Sequence, residues 1–426
     1  MKSKGSEKVM RKINESTTSL SITQNGGNMT CSEKLVAKLC KKTFLSLWSY
    51  PNPKRADTNK ELCDLLVISN PYVIVFSVKE IIIRDSRNYE VDSKRWLNKA
   101  VEESCRQIYG AERALKRNVQ ILSKDKREII ELPKSKKIKI FRVAVAIGRG
   151  DRFPLSFGDF GKGFVHVFDE TSLQIILREL DTITDFIDYL RKKELFYKSN
   201  TKTIMAGEEN LLAVYLADGR QFPTNYTTVI IDGDTWNGFV KKKEYIRRKE
   251  EDKMSYIWDG IIEEFYDHFR KATLYYDVSL KDLEKGLRVM AKENRFSRRI
   301  LGKAFLEFIG YYKKPTSRAR ILKALSNVVY VFLLSNHSKR NRELRRKELE
   351  MRCFVARGRY EESRIVVGIA TEEYKEGAGH SYDLAYLEKP EWTDKHQQMM
   401  LKLQKDLGYF KHPQITKNDV DEFPKK

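Results

Sequence analysis

The chain has 426 residues, 41% hydrophobic and 11% aromatic, which makes it globular material with room for two or three cores rather than a disordered tail. Its 81 Lys+Arg against 59 Asp+Glu leave a net charge of +22, which points to a polyanionic partner, either nucleic acid or an anionic membrane surface. Apolar runs fall far short of a membrane span and no hydrophobic signal core opens the chain, while five scattered cysteines without a C-x-x-C pair argue for a reducing cytoplasm and against a zinc ribbon.

Residues 1–29, rich in Lys, Ser, Thr, Asn and Gly, read as a flexible arm. From Glu33 to Trp48 the pattern is helical, with Ser32 as cap, Leu35, Leu39, Phe44 and Trp48 on one face and Lys34, Lys38, Lys41 and Lys42 on the other. Tyr50-Pro51-Asn52-Pro53 stops that helix. The apolar runs Leu62–Ile68 and Val73–Ile83 flank the turn Ser69-Asn70-Pro71 and read as a hairpin of two buried strands. Asp92 and Ser93 open a second helix from Arg95 to Leu115, which turns Trp96, Ala100, Gln107, Ala111 and Leu115 inward. Strands are expected at Ile129–Leu132, Lys139–Ile147, Gly163–Phe168, Leu211–Leu216 and Thr227–Ile231, with an amphipathic helix over Ser172–Leu195. Further on, a strand pair is expected at Met351–Arg357 and Arg364–Ala370, and a last helix near Asp394–Leu407.

Residues 241–347 hold 28 Lys+Arg against 14 Asp+Glu, so much of the surplus charge sits in a quarter of the chain. Lys241, Lys242, Lys243, Arg247, Arg248, Arg298, Arg299, Arg345 and Arg346, together with Lys34 and Lys38, are the candidate phosphate contacts. Asp232-Gly-Asp234 and Glu208/Glu209 read as turns and solvated loops, and Gly161-Lys-Gly163 lacks the spacing of a nucleotide loop. Trp236 and Trp258 read as packing residues.

The hairpin places charge inside apolar strands. Side chains alternate along a strand, so Ser77 and Lys79 share one face while Val78 and Glu80 take the other. Asp64 and Lys79, if unpaired there, would each cost several kcal/mol, roughly, so they must meet each other, a cation or water in a cleft. An ordinary ion pair at a sheet edge satisfies that requirement as well.

In chain order, helix Glu33, strand Asp64, strand Ser77-x-Lys79 and helix Gln107 resemble the PD-(D/E)-x-K nuclease superfamily, with a Mrr-like and NERD-like flavour, over Cys31 to Ile147. The resemblance implies a restriction-endonuclease-like α/β (α+β) domain, a mixed sheet flanked by helices. It also implies Mg²⁺, or Mn²⁺, held by Asp64, Glu33, Glu61 and the backbone carbonyl of Val78. Lys79 would position or deprotonate the attacking water, and Gln107 would hold the substrate backbone or that water. Ser77 stands where the family has an acidic residue, so Glu61 or Glu33 would have to compensate. The expected organisation is an arm (1–29), the nuclease-like domain (30–150), a mixed segment (151–238) and a basic, mostly helical region with a small β component (239–426). Function is expected to be Mg²⁺-dependent cleavage of DNA, ahead of RNA, in restriction of foreign DNA or in repair, in the cytoplasm, off the membrane, with a homodimer compatible with the family. The alternative is a module of the same fold that binds nucleic acid without cutting.

Overall fold

The computed structural model describes residues 30–81, 88–133, 138–148, 156–198, 202–205, 207–224, 226–270, 280–314, 318–335, 342–377, 381–411 and 420–423. The expected arm and most of the loop after Gly148 lie outside them. These residues form two compact units, one ending at Lys242 and the other beginning at Lys243.

In the first unit, helix α1 (Cys31–Phe44) starts with a capping box, in which Thr30 accepts from the Glu33 N–H and the Glu33 carboxylate accepts from the Thr30 N–H. Thr30, not Ser32, is therefore the cap. The buried face is Val36, Cys40, Thr43 and Phe44, and the helix stops at Leu45 with φ 63°, short of Trp48. Strands β1 (Ser49–Pro51) and β2 (Lys54–Arg55) lead to the expected hairpin, β3 (Leu65–Ser69) and β4 (Tyr72–Glu80). Helix α2 (Tyr89–Trp96), capped by Asn88, runs through a π-helical turn (Leu97–Glu102) into α3 (Glu103–Lys116). Short strands β5 (Ile121–Leu122) and β6 (Ile129–Ile130) precede β7 (Lys139–Ile147), β8 (Gly158–Asp159) and β9 (Phe164–Asp169).

The main sheet has the order β1-β3-β4-β7-β9-β8, antiparallel from β1 to β4 and parallel across β4, β7 and β9. Helix, meander, crossover helix and parallel strand thus follow one another. Because β9 pairs with β7, position 150 falls inside one sheet and does not divide the chain. Leu66, Ile68, Val73 and Val75 pack with Trp96, Ala100, Ile108 and Ala111 on one face. On the other, Phe76 of β4 meets Phe44 of α1 and Phe186 at ring distances of 6.4 and 6.4 Å.

The single helix expected at 172–195 is two, α4 (Glu170–Glu179) and α5 (Ile183–Lys198), because Thr182 caps a new start by accepting from the Asp185 N–H. After β10 (Lys202–Met205), the strand expected at Leu211–Leu216 is instead part of helix α6 (Glu208–Ala217). Leu211, Leu212, Ala213, Tyr215 and Leu216 are all buried, and an apolar run buried on every side carries no period to tell helix from strand. β11 (Thr228–Ile231) pairs in parallel with β10, and α7 (Thr235–Val240) closes the unit.

The second unit opens with α8 (Lys243–Asp252), α9 (Tyr256–Arg270), α10 (Leu280–Ala291) and α11 (Arg295–Phe308). It then builds the sheet β12-β13-β14-β15 from Ala319–Lys323, Val329–Leu334, Ile365–Thr371 and Asp383–Glu388, with α12 (Arg342–Arg359) crossing between parallel β13 and β14. α13 (Asp394–Leu407) matches the expected last helix. The strand expected at Met351–Arg357 is part of α12, whose buried Arg345, Leu349 and Cys353 recur every four residues. The sheet is larger than the small β component expected, since β13 is buried along its whole length. Gly368 lets α12 lie against β14, because a Cβ there would come within 2.5 Å of Cys353 Sγ. Trp258 packs edge-on to Tyr330 at 5.1 Å, a core role as expected. Among the described residues, no helix is long and apolar enough to cross a membrane.

Candidate active site

Asp64 stands just before β3 in the row of Leu66 and Ile68, and Ser77 and Lys79 stand in the row of Val73 and Val75 on β4. Alternation therefore turns all three toward the face covered by α3, which carries Gln107. Asp64 Oδ2 accepts from the Val78 N–H at 2.5 Å, Gln107 Nε2 donates to Asp64 Oδ1 at 3.5 Å, and Ser77 Oγ donates to Gln107 Oε1 at 2.9 Å. In an extended strand the N–H and C=O of one residue point to the same side, so the Val78 carbonyl flanks the same network.

Glu61 completes it. Its carboxyl lies close enough to Asp64 to raise the pKa of that residue, and it accepts from Asn52 Nδ2 at 3.0 Å. Asp64 is buried, with 6% exposure, and burial with the Glu61 carboxyl against it lifts its pKa to about 6, while the Val78 N–H and the Lys79 ammonium pull the other way.

Glu33 is not part of this group. Its carboxylate closes the capping box of α1, which packs on the Phe76 face of the sheet, and the neighbouring Ser32 donates to Glu80 at 2.5 Å there. Among the described residues no three His, Cys, Asp or Glu side chains gather as a metal cluster, so a cation at this site would rest on two carboxylates and neutral oxygens.

Several candidate phosphate contacts are likewise relocated. Arg248, Arg298, Arg299 and Arg345 are at most 5% exposed. Arg298 binds Asp259 at 2.6 Å, Arg299 reaches Asp252 at 3.4 Å, Arg248 reaches Asp252 at 3.4 Å, and Arg345 pairs with Asp383 and Glu372. Helix periodicity turned them inward, where the acids of the same unit use them. Lys34, Lys38, Lys241, Lys242, Lys243 and Arg247 are exposed, and half-buried Arg346 pairs with Glu350 at 2.9 Å.

The Gly161-Lys-Gly163 amides are occupied by Asp159 Oδ1, at 2.8 Å each, and Asp232 accepts from the Asp234 N–H in a turn. Glu208 was expected in a solvated loop but is buried, bonded to Lys193 at 2.5 Å and to the Tyr189 hydroxyl at 2.7 Å. Asn52 was passed over as part of a helix stop. The available signal was an Asn between two prolines, a residue that tolerates positive φ where neighbours restrict the chain. No family model, curated protein or solved structure matches the chain.

Proposed function

We propose that the chain hydrolyses phosphodiester bonds of DNA with the help of a divalent cation, at the network built on Asp64, Glu61, Ser77, Lys79 and Gln107, in a restriction-endonuclease-like domain. The observation that supports this reading is the buried Asp64 carboxyl, which accepts from Gln107 at the start of the strand hairpin that carries Lys79 and has the exposed Glu61 beside it. The helix–hairpin–helix–strand order of the first unit supports it.

The residues fit a hard cation. A buried carboxyl with a second carboxyl beside it is relieved when a cation takes the place of its proton, which leaves to water, and Mg²⁺ needs only one or two carboxylates because it keeps several waters. Asp64, Glu61 and the Val78 carbonyl would hold it. A bound Mg²⁺ would neutralise phosphate charge and acidify a coordinated water. The Val78 N–H and Gln107 fix the orientation of Asp64, while Ser77 holds Gln107. Lys79 places an ammonium on the same face to orient a water or steady the phosphate. Exposed Lys34, Lys38 and Lys241–Lys243 would hold the nucleic-acid backbone.

The second reading, binding without cutting, is favoured by one observation: Ser77, where the family carries an acid, is committed to Gln107. Purified protein incubated with plasmid DNA and with RNA, with and without Mg²⁺ or Mn²⁺, separates the two. Cation-dependent DNA cleavage that falls at least about 100-fold in Asp64→Ala and Lys79→Ala supports the nuclease. Binding without cleavage supports the module, and undiminished cleavage by Asp64→Ala overturns the site.

A further inference from the structure

Asn52 has three properties that together are unusual for a loop residue. Its backbone sits at φ 46° between Pro51 and Pro53, its N–H donates to the Asp64 carbonyl at 3.0 Å, and its Nδ2 donates to Glu61 Oε2 at 3.0 Å. It is buried at 7% exposure, and its Oδ1 has no hydrogen-bond partner. A buried amide oxygen left unmatched costs stability, and positive φ in a residue other than Gly adds to that. Packing alone does not ask for an Asn here, since a glycine would accept the backbone without burying an orphan oxygen.

The loop explains the placement. β1 runs antiparallel to β3 with Pro51 opposite Leu65, and the Asn52 N–H extends that ladder by one bond to Asp64. The chain then kinks, and the Leu62 N–H donates to the Pro53 carbonyl at 2.8 Å, which brings Glu61 back beside the start of β3. Asn52 is thus tied to both members of the carboxyl pair, to one through its backbone and to the other through its side chain.

We propose that Asn52 is a positioning residue of the cation site, and that its free Oδ1 adds a second neutral oxygen to the two carboxylates and the Val78 carbonyl. Resting on the nuclease reading, this assigns the function of Ser77's missing acid jointly to Glu61 and Asn52. One face of the amide steers Glu61, and its oxygen meets the cation or a water that the cation carries. A neutral oxygen added to two carboxylates suits a divalent ion without overcharging the site.

The test is Mn²⁺ binding by the full chain, followed by electron paramagnetic resonance, in wild type, Asn52→Gly and Asn52→Ala. Glycine keeps the positive φ and removes only the amide. Asn52→Gly is expected to weaken Mn²⁺ affinity about 10–100-fold, as loss of an outer-shell partner does, while keeping the cation-free melting temperature. Asn52→Ala is expected to lose affinity and melting temperature together. Wild-type Mn²⁺ affinity in a folded Asn52→Gly protein overturns the assignment alone. Absence of Mn²⁺ binding in wild type removes the cation reading of the site, and the role of Asn52 with it.

Discussion

Asp64 shows how the burial of a single carboxyl makes stability depend on pH. Its carboxyl sits at about 6 in the folded chain against an ordinary 3.8, so between those pH values the folded state holds the proton that the unfolded state has lost. Stability from this group is therefore present at low pH and declines as pH rises through about 6. The penalty above that is about 3 kcal/mol at most. We expect Asp64→Asn, which keeps an acceptor for the Val78 N–H, to raise the melting temperature by several degrees at pH 8 and to lose about two thirds of that gain by pH 4.5. Thermal denaturation at the two pH values checks it, and an equal shift at both would contradict the burial account. The same residue was legible in the sequence as a charge inside an apolar strand, whereas the choice of Glu61 over Glu33 as its companion needed Asn52 and the kinked loop that bring Glu61 alongside.

One buried ion pair joins helices α5 and α6. Lys193 of α5 is fully buried, with its ammonium 4.3 Å from the Phe157 ring centre, and burial lowers its pKa against the pull of Glu208. Glu208 stands in the first turn of α6, where the helix dipole favours a carboxylate, and Tyr189 of α5 donates to the same oxygen. Glu208→Ala strands the ammonium, and we expect a loss of about 3–5 kcal/mol in urea denaturation. Replacing both partners together, with Lys193→Met and Glu208→Leu, is expected to recover part of it. A loss below about 1 kcal/mol in the single variant would mean that the pair is not the clamp between these helices. An apolar run buried on every side carries no helical period, so residues 211–216 suggest a strand, while Glu208 in the first turn marks the start of the helix.

For the whole molecule, charge is distributed very differently from its appearance along the chain. In the second unit Arg248, Arg298, Arg299 and Arg345 are spent on carboxylates below the surface, so they do not present the charge to a partner. On the proposed function, phosphate contacts fall instead to exposed side chains such as Lys241, Lys242, Lys243 and Arg247. We expect Lys241, Lys242 and Lys243 changed together to Ser to reduce the salt slope of DNA binding by about 2–3, one unit per lost phosphate contact. Arg345→Ala is expected instead to cost about 3–5 kcal/mol of stability and to leave the slope of the remaining folded protein unchanged. A reduced slope in folded Arg345→Ala would return that residue to the binding surface.

Local chemistry is written in the sequence, and it determined the hairpin at Asp64 and Lys79, the strand Lys139–Ile147, the final helix and the net charge, because alternation, turn residues and caps act over a few positions. What required the folded chain was every assignment that depends on which elements share a face. Glu33 was separated from Asp64 by the sheet itself, four arginines were turned inward by helix packing, and β9 joined a sheet expected to end before it. Burial and pairing are properties of the packed whole, and they are set by contacts between residues far apart along the chain.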